Sequence, residues 1–221
     1  MNAKNPTPVV SPPPLAVEAH LTQQALHWPR EGAHVLAHFD DRSIVVYQAY
    51  RPSIGRYALA HGRFGGPDYS FDRMSWIKPN FLWMMYRCGW GMKEGQEIVL
   101  GLRLRREFFD DVLRQAVASS FAASGMSNRD AWAEAVQRSD VRLQWDPDHA
   151  PSGAKLQRRA VQLGLRGKVL RALSEEGLLE VIDMSPFVAS QRPWATDESS
   201  ELVTPVERVY RPKGDAGLTA A

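Results

Sequence analysis

Two neighbouring segments near the start of the chain show the alternation of β-strands. Residues 34–39 and 44–50 (IVVYQAY) are rich in β-branched and aromatic side chains, and two aspartates separate them. This pattern predicts two antiparallel strands joined by a turn. Within the second strand, alternation places Tyr47 on one face and both Gln48 and Tyr50 on the other.

Proline and glycine mark the ends of two predicted helices. The first runs from Pro52 to about His61 and stops at Gly62, and the second starts at Pro79 and ends before Gly89. Proline suits the first helical position, and glycine suits the residue just beyond the last one. The second helix (NFLWMMYR) is apolar on nearly every side, which predicts that it is buried.

The rest of the chain changes irregularly between helical and strand patterns. Helices are predicted near 109–120, 131–136 and 168–176, and strands at 97–104, 141–145, 159–165, 178–182 and 207–210. The strand at 141–145 is expected to stop at Asp146 and Pro147, since both residues favour turns. The order shows no regular strand–helix–strand repeat. It predicts an α+β fold with a mixed or antiparallel sheet and packed helices.

Length and composition predict a soluble globular domain with a segment of different composition at each end. Its 221 residues are 44% hydrophobic and 24% charged, which is typical of a single domain. Residues 1–15 contain five prolines and few large apolar side chains, so they are predicted to form a disordered Pro-rich arm. Residues 16–211 are predicted to form one compact domain, and 212–221 a flexible tail.

Charge and cysteine content exclude several classes of protein. With 27 basic and 25 acidic residues the net charge is +2, so the chain cannot coat nucleic acid by charge alone. A single cysteine, Cys88, excludes an internal disulfide and a zinc site built from several cysteines. With no long apolar run and no apolar signal-peptide core, we expect a cytoplasmic protein without a membrane partner. No phosphate loop, dinucleotide fingerprint or metal-ligating motif occurs, and we expect no metal.

The most informative segment is residues 73–91, RMSWIKPNFLWMMYRCGWG. It interleaves three cationic residues with aromatic ones and contains three of the seven tryptophans. Aromatic rings stack on bases while arginine and lysine meet phosphates, so the segment predicts a nucleotide or single-stranded nucleic-acid site. A buried helix whose cations bond neighbouring carbonyls is the alternative. The candidate ligand-binding residues are Trp76, Lys78, Trp83, Tyr86, Arg87, Trp90 and Lys93, together with Tyr47, Gln48 and Tyr50 of the earlier strand.

Three residues are candidates for catalysis, namely Glu97, Arg73 and Asp146. Glu97 begins a predicted strand, where its carboxylate could act as a general base, accept a ribose hydroxyl or pair with an arginine. Asp146 and Asp148 are turn-forming residues first and acid–base candidates second.

A basic run between residues 151 and 173 contains no acidic residue. It is either a solvated face or a surface that binds anions. Its basic residues are Lys155, Arg158, Arg159, Arg166, Lys168 and Arg171.

Several of these segments together resemble a known family. They are VYQAY at 46–50, the block at 73–91 followed by Lys93 and Gln96-Glu97, QWDP at 144–147, and AVQLGLRG at 160–167. They are similar to the domain-of-unknown-function family DUF4291, which occurs in bacteria and fungi, and Gln162 joins the ligand-binding candidates from the last segment. Relatives carry serine at the position of Cys88, which argues against a cysteine nucleophile. The resemblance implies no particular activity.

Three functions stay open at this point. The favoured one is a small nucleotide-using enzyme, and one version resembles the compact α+β ADP-ribosyltransferases that use NAD. In that version Arg73 or Arg87 would hold the pyrophosphate and Glu97 would stabilise the reacting ribose. The alternatives are a non-catalytic RNA or single-stranded DNA-binding module and a protein-interaction module anchored by tryptophans. The expected cofactor is NAD or another nucleotide, and the oligomeric state is open.

Overall fold

The computed structural model describes residues 13–213. The predicted arm and tail therefore lie almost entirely outside the described residues, although Leu15 at the end of the arm is buried in the core. The fold is α+β, as predicted. The α-helices of this part of the chain are α1 (His20–Leu26), α2 (Pro52–His61), α3 (Phe81–Cys88), α4 (Arg106–Arg114), α5 (Arg129–Arg138), α6 (Gly167–Ala172) and α7 (Ser185–Gln191).

The strands are mostly short, with four long ones at the centre. They are β1 (Val17–Ala19), β2 (Gly32–Ala33), β3 (Leu36–Phe39), β4 (Ser43–Tyr50), β5 (Ser75–Ile77), β6 (Ile98–Arg105), β7 (Val117–Ala118), β8 (Val141–His149), β9 (Lys155–Leu165), β10 (Leu178–Asp183), β11 (Val203–Pro205) and β12 (Arg208–Val209).

Most strands belong to two larger sheets, while β1 and β11 form a small antiparallel pair. The first sheet has the order β10-β6-β4-β3-β12 and is antiparallel throughout. It contains the predicted hairpin as β3 and β4, and the strand predicted at 207–210 as β12. The second sheet has the order β2-β9-β8-β7, and β5 also pairs with β9. Because β2 runs parallel to β9 and β7 parallel to β8, this sheet is mixed.

The two sheets meet where β4 changes partners. The first half of β4 pairs with β3, through Ile44 and Val45. Beyond that point the same edge of β4 bonds the residue after β5, since the Tyr47 amide donates to the Lys78 carbonyl (2.7 Å) and the Lys78 amide donates back (3.2 Å). The segment containing β5 therefore touches one sheet at each edge, and a cleft opens beside this junction.

Alternation along β4 separates two hydrophobic clusters. Ile44 and Val46 belong to the larger cluster, which also contains the inward side chains of β6, β8 and β9. Val45 and Tyr47 belong to the second cluster, which is built around α3 and α7. Tyr47 and Gln48 therefore lie on opposite faces of β4, as the sequence pattern predicts.

Several element boundaries differ from the predictions. α3 begins at Phe81 because Asn80 caps it, accepting a hydrogen bond from the Trp83 amide (2.7 Å). The helix predicted at 109–120 is α4, which ends at Arg114, and residues 117–118 form β7. The helix does not continue through Val117 and Ala118, despite their helical pattern, because these residues pair with Arg142 and Leu143 of β8.

The predicted turn at Asp146 and Pro147 is wrong. Both residues lie within β8, which continues to His149. Proline is tolerated at this point because β7 covers only the start of β8, at Arg142 and Leu143, and no other described strand pairs with the rest of that edge. Asp146 therefore extends from a strand and not from a turn.

Candidate functional site

A polar cleft of about 390 Å³ opens at the junction of the two sheets. This volume lies at the small end of the range for small-molecule sites, roughly 300–1,000 Å³. Six of the predicted ligand-binding residues line it: Gln48, Tyr50, Trp76, Lys78, Arg87 and Gln162. The other lining residues are Ala49, Met74, Ser75, Met84, Gln96 and Gln144.

The floor of the cleft is a row of polar side chains across three strands. On β8 and β9 the apolar residues Leu143 and Leu163 face the larger core, so alternation turns Gln144 and Gln162 to the opposite face. These two glutamines are directly paired across the strands. β5 pairs with β9 at Ile77 and Leu163, and continuing that register by one residue sets Lys78 opposite Gln162.

Lys78 is a buried cation without a close counter-ion in the described part of the chain. Its side chain is 4% exposed, and its ammonium donates a long hydrogen bond to the Trp76 carbonyl (3.4 Å). No carboxylate of the described residues lies within 4.0 Å of it. Burial, reinforced by the nearby Arg87 guanidinium, lowers the pKa of Lys78 to about 8, while Asp146 partly opposes this shift.

Asp146 holds the two glutamines of the floor in place. One carboxylate oxygen accepts a hydrogen bond from the Gln144 amide (2.8 Å), and the other accepts one from the Gln162 amide (2.7 Å). Since both amide NH2 groups point at Asp146, the Gln162 carbonyl oxygen has no hydrogen-bond donor among the described residues and can accept from a ligand. Asp146 therefore orients the glutamines that face the cleft.

A hydroxyl network forms the wall at the end of β4. The Gln48 amide donates to the Ser75 hydroxyl (2.7 Å) and to the Trp76 carbonyl (3.1 Å), and the Tyr50 and Ser75 hydroxyls lie 2.8 Å apart. Burial raises the pKa of Tyr50 well above its ordinary value, so its hydroxyl stays protonated. The wall thus offers neutral hydrogen-bonding groups in fixed positions.

Arg87 supplies a second cation at the cleft. It lies in the last turn of α3, and Gly89 ends this helix in the left-handed conformation with a φ of 57°. Its guanidinium forms no ion pair or side-chain hydrogen bond with any residue in the 13–213 range. Lys78 and Arg87 are the charged residues among those that line the cleft, and the lining includes no carboxylate, which favours an anionic ligand.

Several predicted site residues lie outside the cleft. Tyr47 is fully buried against Phe81 in the second cluster, where Trp90 also lies and donates to the Pro151 carbonyl (3.2 Å). Trp83 is buried and stacks near His149. Tyr86 stacks on the same histidine and, with Lys93, borders a shallow surface cavity that also touches Arg87. The residues that do not line the cleft are therefore Tyr47, Trp83, Tyr86, Trp90 and Lys93.

Neither Glu97 nor Arg73 is among the residues that line the cleft. Glu97 follows Gln96, which lines the cleft, and its carboxylate accepts a hydrogen bond from the Gly95 amide (2.9 Å). Its second carboxylate oxygen is buried and has no hydrogen-bond partner among the described residues. Arg73 lies in an adjoining cavity, together with Gly95.

The basic run at 151–173 does not form one continuous surface. Arg158 is buried and pairs with Asp148 at 2.6 Å. Arg166 donates to the carbonyls of Gln137 (3.0 Å) and Ser139 (3.1 Å). The remaining arginines are also engaged, Arg159 with the Trp145 carbonyl and Arg171 with Asp72. The acidic partners missing from the run itself come from other parts of the chain.

Sequence reasoning missed Gln144, Ser75 and Gln96 as lining residues. Gln144 could be found once β8 is extended through Asp146, because alternation then sets both polar residues on one face. Ser75 and Gln96 carry no local signal, since only the pairing of β5 and the loop before β6 bring them to the cleft. Cys88 is buried, and burial raises the pKa of its thiol, which does not favour a nucleophile.

The described residues contain neither a metal-binding cluster nor a membrane-spanning helix. Within 13–213 no three residues among His, Cys, Asp and Glu come together in a way that would hold a metal ion. Over the same range no helix has both the length and the apolar character needed to cross a bilayer.

Comparison with known proteins identifies the family but no activity. A search of curated proteins finds no match to this chain. The family model described as Domain of unknown function (DUF4291) matches residues 34–210, which include every residue of the cleft. Since this match covers most of the chain, the protein belongs to the DUF4291 family.

Proposed function

We propose that this protein is an enzyme that binds a nucleotide in the cleft between its two sheets. The observation that carries the proposal is Lys78, a buried cation that faces the cleft with no ion-pair partner in the described part of the chain. A buried charge needs compensation, and the phosphate of a bound ligand would supply it. Arg87, also unpaired there, adds the planar fork that suits a phosphate.

The neutral lining supports a ligand with N–H and O–H groups beside its phosphate. The side-chain carbonyl oxygens of Gln48 and Gln162 accept no hydrogen bond from another described residue. The side-chain amide of Gln96 likewise has no partner among residues 13–213. Such groups bond the edges of bases and the hydroxyls of ribose. A nucleotide combines these groups with an anionic phosphate in one small molecule.

The transfer step is assigned to Glu97. Its carboxylate belongs to the loop that borders the cleft, and one of its oxygens is buried without a partner among residues 13–213. In a ribosyl transfer the bond from ribose C1′ to the leaving base breaks and the base leaves with the electron pair. The oxygen of an acceptor hydroxyl then bonds C1′, and its proton passes to water. A carboxylate beside C1′ would stabilise the positive charge that develops there.

The buried aromatic residues do not favour the nucleic-acid alternative. Trp83 and Trp90, which that hypothesis needs as exposed stacking platforms, are packed in the interior. The basic run is largely engaged in contacts within the chain. A small ligand in the cleft accounts for the unpaired cations better than a long strand on the surface does.

Thermal unfolding with ATP, GTP, NAD, AMP and a short single-stranded RNA, at low and high salt, tests the proposal. A ligand at a hundred times its dissociation constant adds about 2.7 kcal/mol, which raises the Tm of a chain this size by roughly 5–10 °C. We expect such a rise with a nucleotide at both salt concentrations, lost in Lys78→Met and kept in Lys168→Met, which removes an exposed lysine of α6. A shift with RNA alone that disappears at high salt would refute the enzyme proposal.

The role of Glu97 is tested separately. Glu97→Gln keeps an oxygen that can accept from the Gly95 amide, so we expect normal folding and nucleotide binding. Release of the base from the bound nucleotide, followed by chromatography, should fall at least a hundredfold. Unchanged turnover in this variant would remove Glu97 from the reaction, and loss of folding would make it a structural residue.

A further inference from the structure

A second cavity adjoins the cleft and shares one wall with it. Its volume is about 360 Å³, close to that of the cleft itself. The two cavities have Tyr50, Met74 and Ser75 in common. The hydroxyls of Tyr50 and Ser75, 2.8 Å apart, therefore belong to the wall that the two cavities share.

The second cavity has its own uncompensated cation within the described part of the chain. Arg51 lies on its border but is paired with Asp68, 3.4 Å away. Arg73 is exposed on the same border, and its guanidinium has no ion pair or side-chain hydrogen bond with any residue from 13 to 213. The Tyr69 hydroxyl there is buried close to the hydroxyls of Ser75 and Tyr50. The cavity thus offers a cation and a hydroxyl to a ligand.

The far wall of this cavity is anchored to the core. Tyr69 stacks on Phe64 with ring centroids 4.9 Å apart, and Phe64 is buried. The Phe64 amide donates to the Ser174 hydroxyl (3.2 Å), which ties the loop to the segment after α6. Arg171 lies over the Phe71 ring, 5.0 Å from its centroid, and holds the end of the loop. The cavity is therefore formed by a packed loop.

We propose that the two cavities bind one dinucleotide, with one nucleotide in the cleft and the other beside Arg73. The volume of each cavity is at the small end of the range for ligand sites, so each has room for about one nucleotide. Each cavity also has a cation without an ion pair in the described chain, and such cations suit the phosphates that join two nucleotides. Of the Tyr50 and Ser75 hydroxyls in the shared wall, the one that does not donate to the other would donate to an oxygen of the linking phosphates. This inference rests on the proposed function, and it selects dinucleotides such as NAD from the nucleotides.

Calorimetric titration of the full chain with NAD and with its two halves, AMP and nicotinamide mononucleotide, tests the inference. We expect NAD to bind at least tenfold more tightly than either half. Arg73→Gln should weaken NAD binding about tenfold or more, since a hydrogen bond to a charged group contributes about 1.5–3 kcal/mol. The half that binds in the cleft should keep its affinity in this variant. Arg56→Gln, which removes an exposed arginine of α2, is the matched control and should change neither.

The outcomes separate this inference from the proposed function. If a mononucleotide binds and NAD gains nothing, or if Arg73→Gln weakens NAD and both halves equally, the second subsite is refuted while the cleft stands. If no nucleotide binds at all, both proposals fail. A gain for NAD that disappears in Arg73→Gln and persists in Arg56→Gln supports the dinucleotide.

Discussion

Replacing Lys78 by methionine should stabilise the folded protein while it abolishes ligand binding. Methionine has a similar length and no charge, so it fills the same space between β4, β5 and β9. The substitution removes the hydrogen bond from the ammonium to the Trp76 carbonyl, which is long at 3.4 Å and contributes little. The cost of burying the ammonium is removed at the same time.

The size of this effect follows from the pKa of Lys78. Burial lowers it from 10.5 to about 8, and since each pKa unit corresponds to about 1.4 kcal/mol, the charged form costs about 3 kcal/mol in the folded state. The attraction of Asp146 is already included in that value. With the weak hydrogen bond removed as well, we expect Lys78→Met to raise the free energy of unfolding at pH 7 by about 1–3 kcal/mol.

The gain should depend on pH in a defined direction. Because the pKa of Lys78 is lower in the folded state, the unfolded chain binds the proton more strongly, and the penalty is fully present below pH 8. It disappears as the pH rises from about 8 to 10.5, so the wild-type protein should approach the variant in stability.

Urea unfolding at several pH values between 7 and 10 measures this difference, with Lys168→Met as the exposed control that should show none. If Lys78→Met is less stable than wild type at pH 7, or if the difference does not change with pH, Lys78 does not carry an uncompensated charge. An anionic ligand would then no longer be expected at the cleft.

Three other residues give further predictions. Burial raises the pKa of Glu207, whose carboxylate accepts from the Phe81 amide (2.7 Å), so stability should fall as the pH rises above the ordinary carboxyl value of 4.5. Glu207→Gln keeps the acceptor and cannot ionise, so its Tm should exceed that of wild type at neutral pH and converge with it near pH 4.5; a constant difference would contradict this. Asp148→Asn leaves the buried Arg158 without its counter-ion and should cost about 3–5 kcal/mol in urea unfolding, whereas a loss below about 1 kcal/mol would show that the site is hydrated. A Cβ at Gly164 would lie 2.6 Å from the Met74 sulfur and 3.0 Å from the Trp76 ring, so Gly164→Ala should lower the free energy of unfolding by about 1–3 kcal/mol. The variant should also bind nucleotide more weakly, because the Met74 and Trp76 side chains line the cleft. Binding at wild-type strength would show that the cleft tolerates their displacement.

The fold could be predicted where local signals agree with long-range pairing. The β3–β4 hairpin has alternating hydrophobic residues and a turn, and α2 has proline at its start and glycine after its end, so both were found from the sequence. The sequence predicts that β8 ends at residue 145 because Asp146 and Pro147 favour turns. The strand continues through both residues because its edge there has no neighbouring strand among the described ones. The local sequence of β8 does not show which of its edges has a neighbouring strand, because that depends on the position of β7.

The candidate site could be predicted in part. The residue types at Lys78 and Arg87 indicated an anion site, and both line the cleft. The tryptophans of the same segment mostly do not, because an apolar helix packed on a sheet has to bury its large rings. The row from Gln144 to Lys78 needs the register of three strands, and no single segment of the sequence contains it.

Lys78 at the cleft differs from the buried carboxyl groups elsewhere in the interior in the partners that it has within the described residues. Elsewhere within the described residues, the buried carboxyl groups have partners of the same chain: Asp148 with Arg158, Glu207 with the Phe81 amide, and Asp110 with the Tyr210 hydroxyl. Lys78 departs from this pattern, since its ammonium has no ion pair among these residues and only a long hydrogen bond (3.4 Å) to the Trp76 carbonyl, although Asp146 is near enough to influence its pKa. Asp146 bonds two glutamine amides that turn toward the cleft. A structural role for Lys78 would favour a direct pair with that carboxylate, since the pair would remove the cost of the buried ammonium. An unpaired lysine beside an engaged carboxylate is the arrangement expected where the missing partner is a ligand.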